Sequence, residues 1–207
     1  MRMSKLFKLT DSCGKTRNDT QWGPGVSHSG TGQGELCGPG WIHAYEHPLV
    51  AVLLNPIHAN IQNPRLWEAE GEIAMRDGQL KCGCRKLTTV REIPIPAVTT
   101  EMRVRFGILC AKEVCACSAW NAWADRWLSG EDRTQAAAER ARAAGAAAAE
   151  AWAAQAAAAW AAQATEAAEA TEAAAAWAAA WAEAAREVGH DGIDIFDIAE
   201  KACSGLR

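Results

Sequence analysis

Residues 65–96, RLWEAEGEIAMRDGQLKCGCRKLTTVREIPIP, decide the fold class. Leu66, Glu68 and Glu70 alternate with Trp67, Ala69 and Gly71 before Ile73, the two-residue period of a strand that buries one face. Asp77-Gly78 is a hairpin turn signal. Strand-like runs resume at 79–81 and 87–93, so this stretch predicts paired strands. Working outward toward the N-terminus, KLFKLT at 5–10 alternates basic and apolar residues and suits a half-buried strand. GWIHAY at 40–45 is a short strand with aromatic and β-branched residues. PLVAVLL at 48–54 predicts one or two helical turns, with Pro48 in the first turn. Between them GPGVSHSGTGQGELCGPG, residues 23–40, reads as a long surface loop, and loops of that length are mobile or functional.

Toward the C-terminus the punctuation stops. All seven prolines fall at or before Pro96, which leaves the second half free to be helical. Thr99 or Thr100 is placed to cap a helix reaching about residue 117, with Glu101 in its first turn. Ser118 is placed to cap the next, 119–129, where Trp120, Trp123 and Trp127 share one face, and Gly130 ends it. Beyond Glu131 and Asp132 the chain becomes alanine: 33 of the 53 residues from 135 to 187. Alanine is the best helix former. At about 100° per residue, Trp152, Trp160, Trp177 and Trp181 fall within an arc of about 100°. Most of the tract's Glu and Arg residues lie opposite. The pattern predicts a very long amphipathic helix whose Trp stripe meets another copy or the rest of the chain, with Gly145 as its one candidate break. The tail, 191–206, predicts a short closing helix with Ile193, Phe196 and Ala199 on one side.

The expected architecture is α+β. A small β-rich N-terminal domain spans 1–96, two packed helices 97–130, the long Ala/Trp-rich helix 131–188 and a closing helix 189–207. A formal charge of −4 over 207 residues argues against general nucleic-acid binding, which needs a dense basic patch. Charged residues interrupt the alanine tract, so no membrane span is read, and MRMSKLFKLTDS has no leader-like apolar core.

Candidate chemistry concentrates in the first half. His43 and Tyr45 would share one side of a short strand, and His47 follows at the strand-to-helix corner, where ligands often sit. The His43/His47 spacing would suit a metal on a helix, but Pro48 argues against a helix there. The glycine-rich loop, which carries His28, offers backbone N–H groups to an anion such as a phosphate. Arg65, Arg85, Lys86 and Arg91 add positive charge. Eight cysteines include Cys82-x-Cys84 and Cys115-x-Cys117, spacings that match structural zinc poorly. No metal site, catalytic residue or cofactor is predicted, and the thiols are expected to be reduced and mostly buried or incidental.

Several of these segments together resemble a family of phage and prophage proteins. They are Cys37-Gly38-Pro39-Gly40-Trp41-Ile42-His43-Ala44, the run 48–54, Leu66-Trp67-Glu68-Ala69-Glu70-Gly71-Glu72 and residues 86–94. Trp127-Leu128-Ser129-Gly130-Glu131-Asp132-Arg133 and the Ala/Trp-rich tail extend the likeness. The resemblance implies a setting in the cytoplasm of an infected bacterium, or in a virion, and implies no activity. The leading expectation is a non-enzymatic accessory protein that binds a small ligand or host component. In its concrete form it sequesters a nucleotide-type immune signal as a homo-oligomer joined through the Ala/Trp helix. A weaker likeness to ADP-ribosyltransferase-like folds would assign His43 and Tyr45 to NAD, with a catalytic glutamate among Glu68, Glu70, Glu72 and Glu92. A minor virion or scaffold protein is the third expectation.

Overall fold

A computed structural model of the chain describes residues 3–115, 117–147 and 193–204. The architecture is α+β, an antiparallel sheet followed by helices. The chain divides into two compact units, Met1–Ala97 and Val98–Arg207.

In the first unit, β1 (Ser4–Thr10), β2 (Lys15–Thr16), β3 (Thr20–Gln21), β4 (Ser27–Ser29) and β5 (Ile42–Ala44) precede helix α1 (Pro48–His58). Strands β6 (Arg65–Asp77) and β7 (Lys81–Ile93) follow. β6 pairs with β1 on one side and β7 on the other, and β7 carries both β4 and β5 along its far edge, all antiparallel. Tyr45, just after β5, bridges back to Phe7 of β1 through two backbone hydrogen bonds of 2.8 and 2.9 Å. The sheet therefore closes on itself as a small barrel. Closure leaves an interior of Leu6, Trp22, Ala44, Ala69, Cys82, Cys84 and Leu87, with Ile42 and Ile73 against it. Outside, Phe7, Leu9 and Leu66 of the sheet and Val50, Leu53 and Leu54 of α1 are buried, as α1 packs on β1.

The hairpin departs from the sequence reading in an instructive way. The runs at 79–81 and 87–93 are not separate strands; β7 is continuous over 13 residues. Its alternation changes phase because the register with β6 shifts, Ile73 pairing with Cys84 but Gly71 with Leu87. The extra residue is a bulge, and it leaves Arg85 and Lys86 both exposed between buried Cys84 and buried Leu87. A period-2 search stops at such a bulge. Helix α1 runs beyond the predicted 48–54 to His58, carrying Pro56 inside. The segment 23–40 is not one free loop, since β4 lies within it and pairs with β7 at Ser27–Thr88 through Ser29–Lys86.

The second unit holds α2 (Thr100–Val114), α3 (Ser118–Ser129), α4 (Gln135–Ala147) and α5 (Ile195–Ser204). α2 packs on α5 and α3, and α3 packs on α4. The Thr99 side chain accepts from Met102 N at 3.2 Å, the predicted cap. Ser118 is not a cap but the first helical residue, and Cys117 holds the N-cap position without a side-chain bond. Trp120, Trp123 and Trp127 are buried on one face, and Gly130 ends the helix at φ 82. α4 begins at Gln135, later than expected. Asp132 accepts from Thr134 N and Oγ1, and Thr134 Oγ1 accepts from Ala137 N, so Glu131 and Asp132 lie in the preceding turn. α4 passes through Gly145 without interruption. α5 buries Ile195, Ile198, Ala199 and Ala202 rather than a face containing Ile193 and Phe196. The predicted helix over 131–188 is described only as α4. Trp152, Trp160, Trp177 and Trp181 lie outside the described residues. No helix among the described residues is long and apolar enough to cross a membrane.

Candidate functional site

The glycine-rich loop 30–41 folds back on itself over β7 and is pinned at several points. Gly30 N donates to Arg85 O at 2.9 Å, and Gly32 N to Gly40 O at 2.8 Å. Trp41 Nε1 donates to Gly34 O at 3.0 Å. His43 Nε2 is hydrogen-bonded to Leu36 O. A carbonyl only accepts, so this nitrogen carries the proton. Leu36 is buried, and it and Trp41 lie against Gly83 of β7. Two glycines explain the loop's composition. A Cβ on Gly40 would stand 2.0 Å from Gln33 O, and one on Gly32, where φ is +71, would meet Arg85 Nε at 2.8 Å. The Arg85 side chain thus lies directly against the loop backbone.

Of the sequence candidates, His43 and Tyr45 do come together, but as anchors. Burial lowers the pKa of His43 below the ordinary histidine value, the strongest influence on it. Tyr45 stacks on His58 with ring centroids 5.8 Å apart, and Tyr45 Oη lies 3.2 Å from His58 Nδ1. Burial raises the Tyr45 pKa and pushes that of His58 down to about 3. The phenol therefore stays protonated and the imidazole neutral, so Tyr45 O–H donates to Nδ1. Nearby, Lys81 Nζ lies 3.1 Å from the Cys37 thiol and 3.9 Å from Asp77. Lys81 was not singled out from sequence, and His58, one of three histidines crowded into residues 43–58, was given no role there.

The other candidates lie apart. His47 occupies the N-cap position of α1 with no side-chain cap bond. His28 Nε2 donates to Gln21 O at 2.7 Å, and its ring sits edge-on to Trp22 with centroids 4.6 Å apart. Arg65 lies 4.8 Å over the Trp67 ring and pairs with Glu92. Arg91 pairs with Glu68 at 2.7 Å, which also pairs with Lys5. These cations are therefore already matched within the sheet. Arg85 and Lys86 differ: among the described residues neither has a carboxylate at ion-pair distance, and both are exposed beside the loop. Groups of three or more metal-capable side chains are not found among the described residues. The thiols of Cys82, Cys84, Cys110 and Cys115 are buried, and all eight cysteines are unbridged.

The arrangement can hold a negatively charged group. Arg85 and Lys86, with no carboxylate at ion-pair distance among the described residues, lie where β7 meets β4 and the hydrogen-bonded glycine-rich loop. No protein-family model, curated protein or solved structure matches this chain.

Proposed function

We propose that the N-terminal barrel is a non-enzymatic binding module for a small anionic ligand of nucleotide type. The observation that carries this reading is the bulge at Arg85-Lys86. It turns two adjacent cations outward against a pinned glycine-rich loop, while Arg65 and Arg91 of the same sheet are paired with acids. A pre-formed loop binds with little ordering cost, and phosphate oxygens suit an arginine fork. The ADP-ribosyl-transfer alternative gains nothing here. His43 Nε2 is engaged by Leu36 O, and Glu68 and Glu92 are held by cations.

In an infected bacterium such a module would act as an accessory protein that sequesters a nucleotide signal. Multiple copies joined through the very long Ala/Trp helix would raise its capacity. The test is isothermal titration of the full chain against cyclic and ADP-ribose-derived nucleotides, with Arg85→Ala alongside. The expected result is a saturable heat lost in the variant. Silence across the panel from folded protein overturns the reading. Light scattering of Trp152→Ala/Trp177→Ala tests the assembly, and an unchanged mass removes the stripe as the joint.

A further inference from the structure

We propose that Cys37 and Lys81 form a covalent modification site, at which a peroxide oxidises Cys37 and the Lys81 amine captures it as a sulfur–nitrogen (sulfenamide) bridge. Lys81 Nζ donates to Cys37 Sγ at 3.1 Å. Atoms about 3–3.5 Å apart stand at near-attack separation. Packing on both sides builds this contact. Lys81 opens β7 and stands opposite Asp77 of β6. Alternate residues of a strand share a face, so Lys81 and Gly83 lie on the side away from the interior residues Cys82 and Cys84. A Cβ on Gly83 would stand 2.5 Å from Leu36 Cδ1, so Leu36 sits directly on that face, and its carbonyl is held by His43. Cys37 follows Leu36 and is brought onto Lys81 as the chain turns, with Gly38 N donating to Glu35 O at 2.9 Å.

Exposure is divided between the two groups as capture requires. Cys37 is exposed, so a peroxide reaches its sulfur from solvent. The Lys81 side chain is only 10% exposed and lies 3.9 Å from the Asp77 carboxylate, itself 7% exposed, so the amine is held in place beside a proton acceptor. In the first step the sulfur attacks the peroxide. The O–O bond breaks, an S–O bond forms, and water leaves with the thiol proton. Sulfur gives up two electrons and the peroxide takes them, leaving a sulfenic acid. In the second step Nζ, having passed one proton to Asp77 and thence to solvent, attacks the sulfur. The S–N bond forms, the S–O bond breaks, and the hydroxyl leaves as water with a second amine proton. Two equivalents of a reducing thiol reverse the change, the first breaking S–N as a mixed disulfide and the second restoring Cys37. The bridge joins residues 44 apart in sequence and fastens the glycine-rich loop to β7. It does not depend on that loop binding an anion.

The test uses full-length Cys13→Ser, which removes the other exposed cysteine. The reduced chain is treated with one equivalent of hydrogen peroxide, denatured in N-ethylmaleimide and mapped by mass spectrometry. The expected product joins the peptide carrying Cys37 to the peptide carrying Lys81, at a mass about 2 Da below their sum, and dithiothreitol separates them. Adding Lys81→Met is expected to abolish the joined peptide and to raise dimedone trapping of the Cys37 sulfenic acid about 10-fold or more, since the capturing amine is gone. Where Lys81→Met does not fold, the mapped product of the parent decides. The proposal is overturned by Cys37 that stays reduced or passes to sulfinic acid without joining, by Cys37 joined to another residue, by a bridge that retains oxygen, or by unchanged dimedone trapping in folded Lys81→Met.

Discussion

Replacing Gly40 by alanine tests how the candidate loop is held. The new Cβ would lie 2.0 Å from Gln33 O and 2.9 Å from Thr31 Oγ1, where ordinary contact begins at 3.4 Å. The obstacle is backbone, so no side-chain rotation relieves it. Separating the strands of the loop strains the Gly32 N to Gly40 O bond and the Trp41 Nε1 to Gly34 O bond. Each such bond contributes about 0.5–1.5 kcal/mol net, and overpacking typically costs about 1–3 kcal/mol. The expected loss is therefore about 2–4 kcal/mol. It has a ceiling, because a loop that lifts away with Leu36 ceases to resist. The assay is the urea midpoint together with hydrogen exchange at the Gly30 and Gly32 amides. Gln33→Ala serves as control: it keeps the carbonyl, and a change at an exposed side chain is expected to stay within about 0.5 kcal/mol. Equal midpoints and unchanged Gly32 protection in Gly40→Ala would refute the pinned-loop account.

Three further outcomes follow from the packing. His58 is held near pKa 3 in the folded chain against an ordinary 6.5, so the unfolded state binds the extra proton and stability falls as pH drops through that window. His58→Gln should flatten the decline of the urea midpoint between pH 6.5 and 4, and an unaltered slope would remove His58 as its source. Lys8, lowered to about 8 from 10.5, makes folding less favourable below pH 8 and progressively less so between 8 and 10.5. Lys8→Met should therefore raise the thermal midpoint at pH 7 and lose that advantage by pH 10.5; destabilisation at pH 7 would contradict it. Trp120 is fully buried on α3, and Trp120→Ala should cost about 3–5 kcal/mol, read as loss of cooperative helical unfolding by circular dichroism. A loss under 1 kcal/mol would show that the α3 face is not packed as described.

The β-rich first half, the helix caps at Thr99 and Gly130, and the buried face of Trp120, Trp123 and Trp127 were legible in the sequence. Each is fixed by local geometry: alternation, a side-chain oxygen near orphan N–H groups, a left-handed glycine, or a helical period. The Arg85-Lys86 bulge was not legible, because an extra residue in a ladder is defined only by the strand opposite. The sequence left the role of His43 open. Its residue type allows ligand binding or structural bonding, and only the folded position of Leu36 O decides between them. His58 and Lys8 acquired their perturbed acidity from neighbours distant in sequence. Lys8 alternates with apolar residues in KLFKLT as an outward lysine would.

By itself, then, the sequence determined where strands give way to helices and which helical faces are apolar, since both depend on the order of residues along the chain. Only the tertiary structure decided that the sheet closes through Phe7 and Tyr45. Closure put the β1 face that carries Leu6 and Lys8 inside the barrel. It set Lys8 against His43 O and the Trp22 ring and left Arg85 and Lys86 exposed with no carboxylate at ion-pair distance among the described residues, because burial and charge pairing are properties of three-dimensional neighbours.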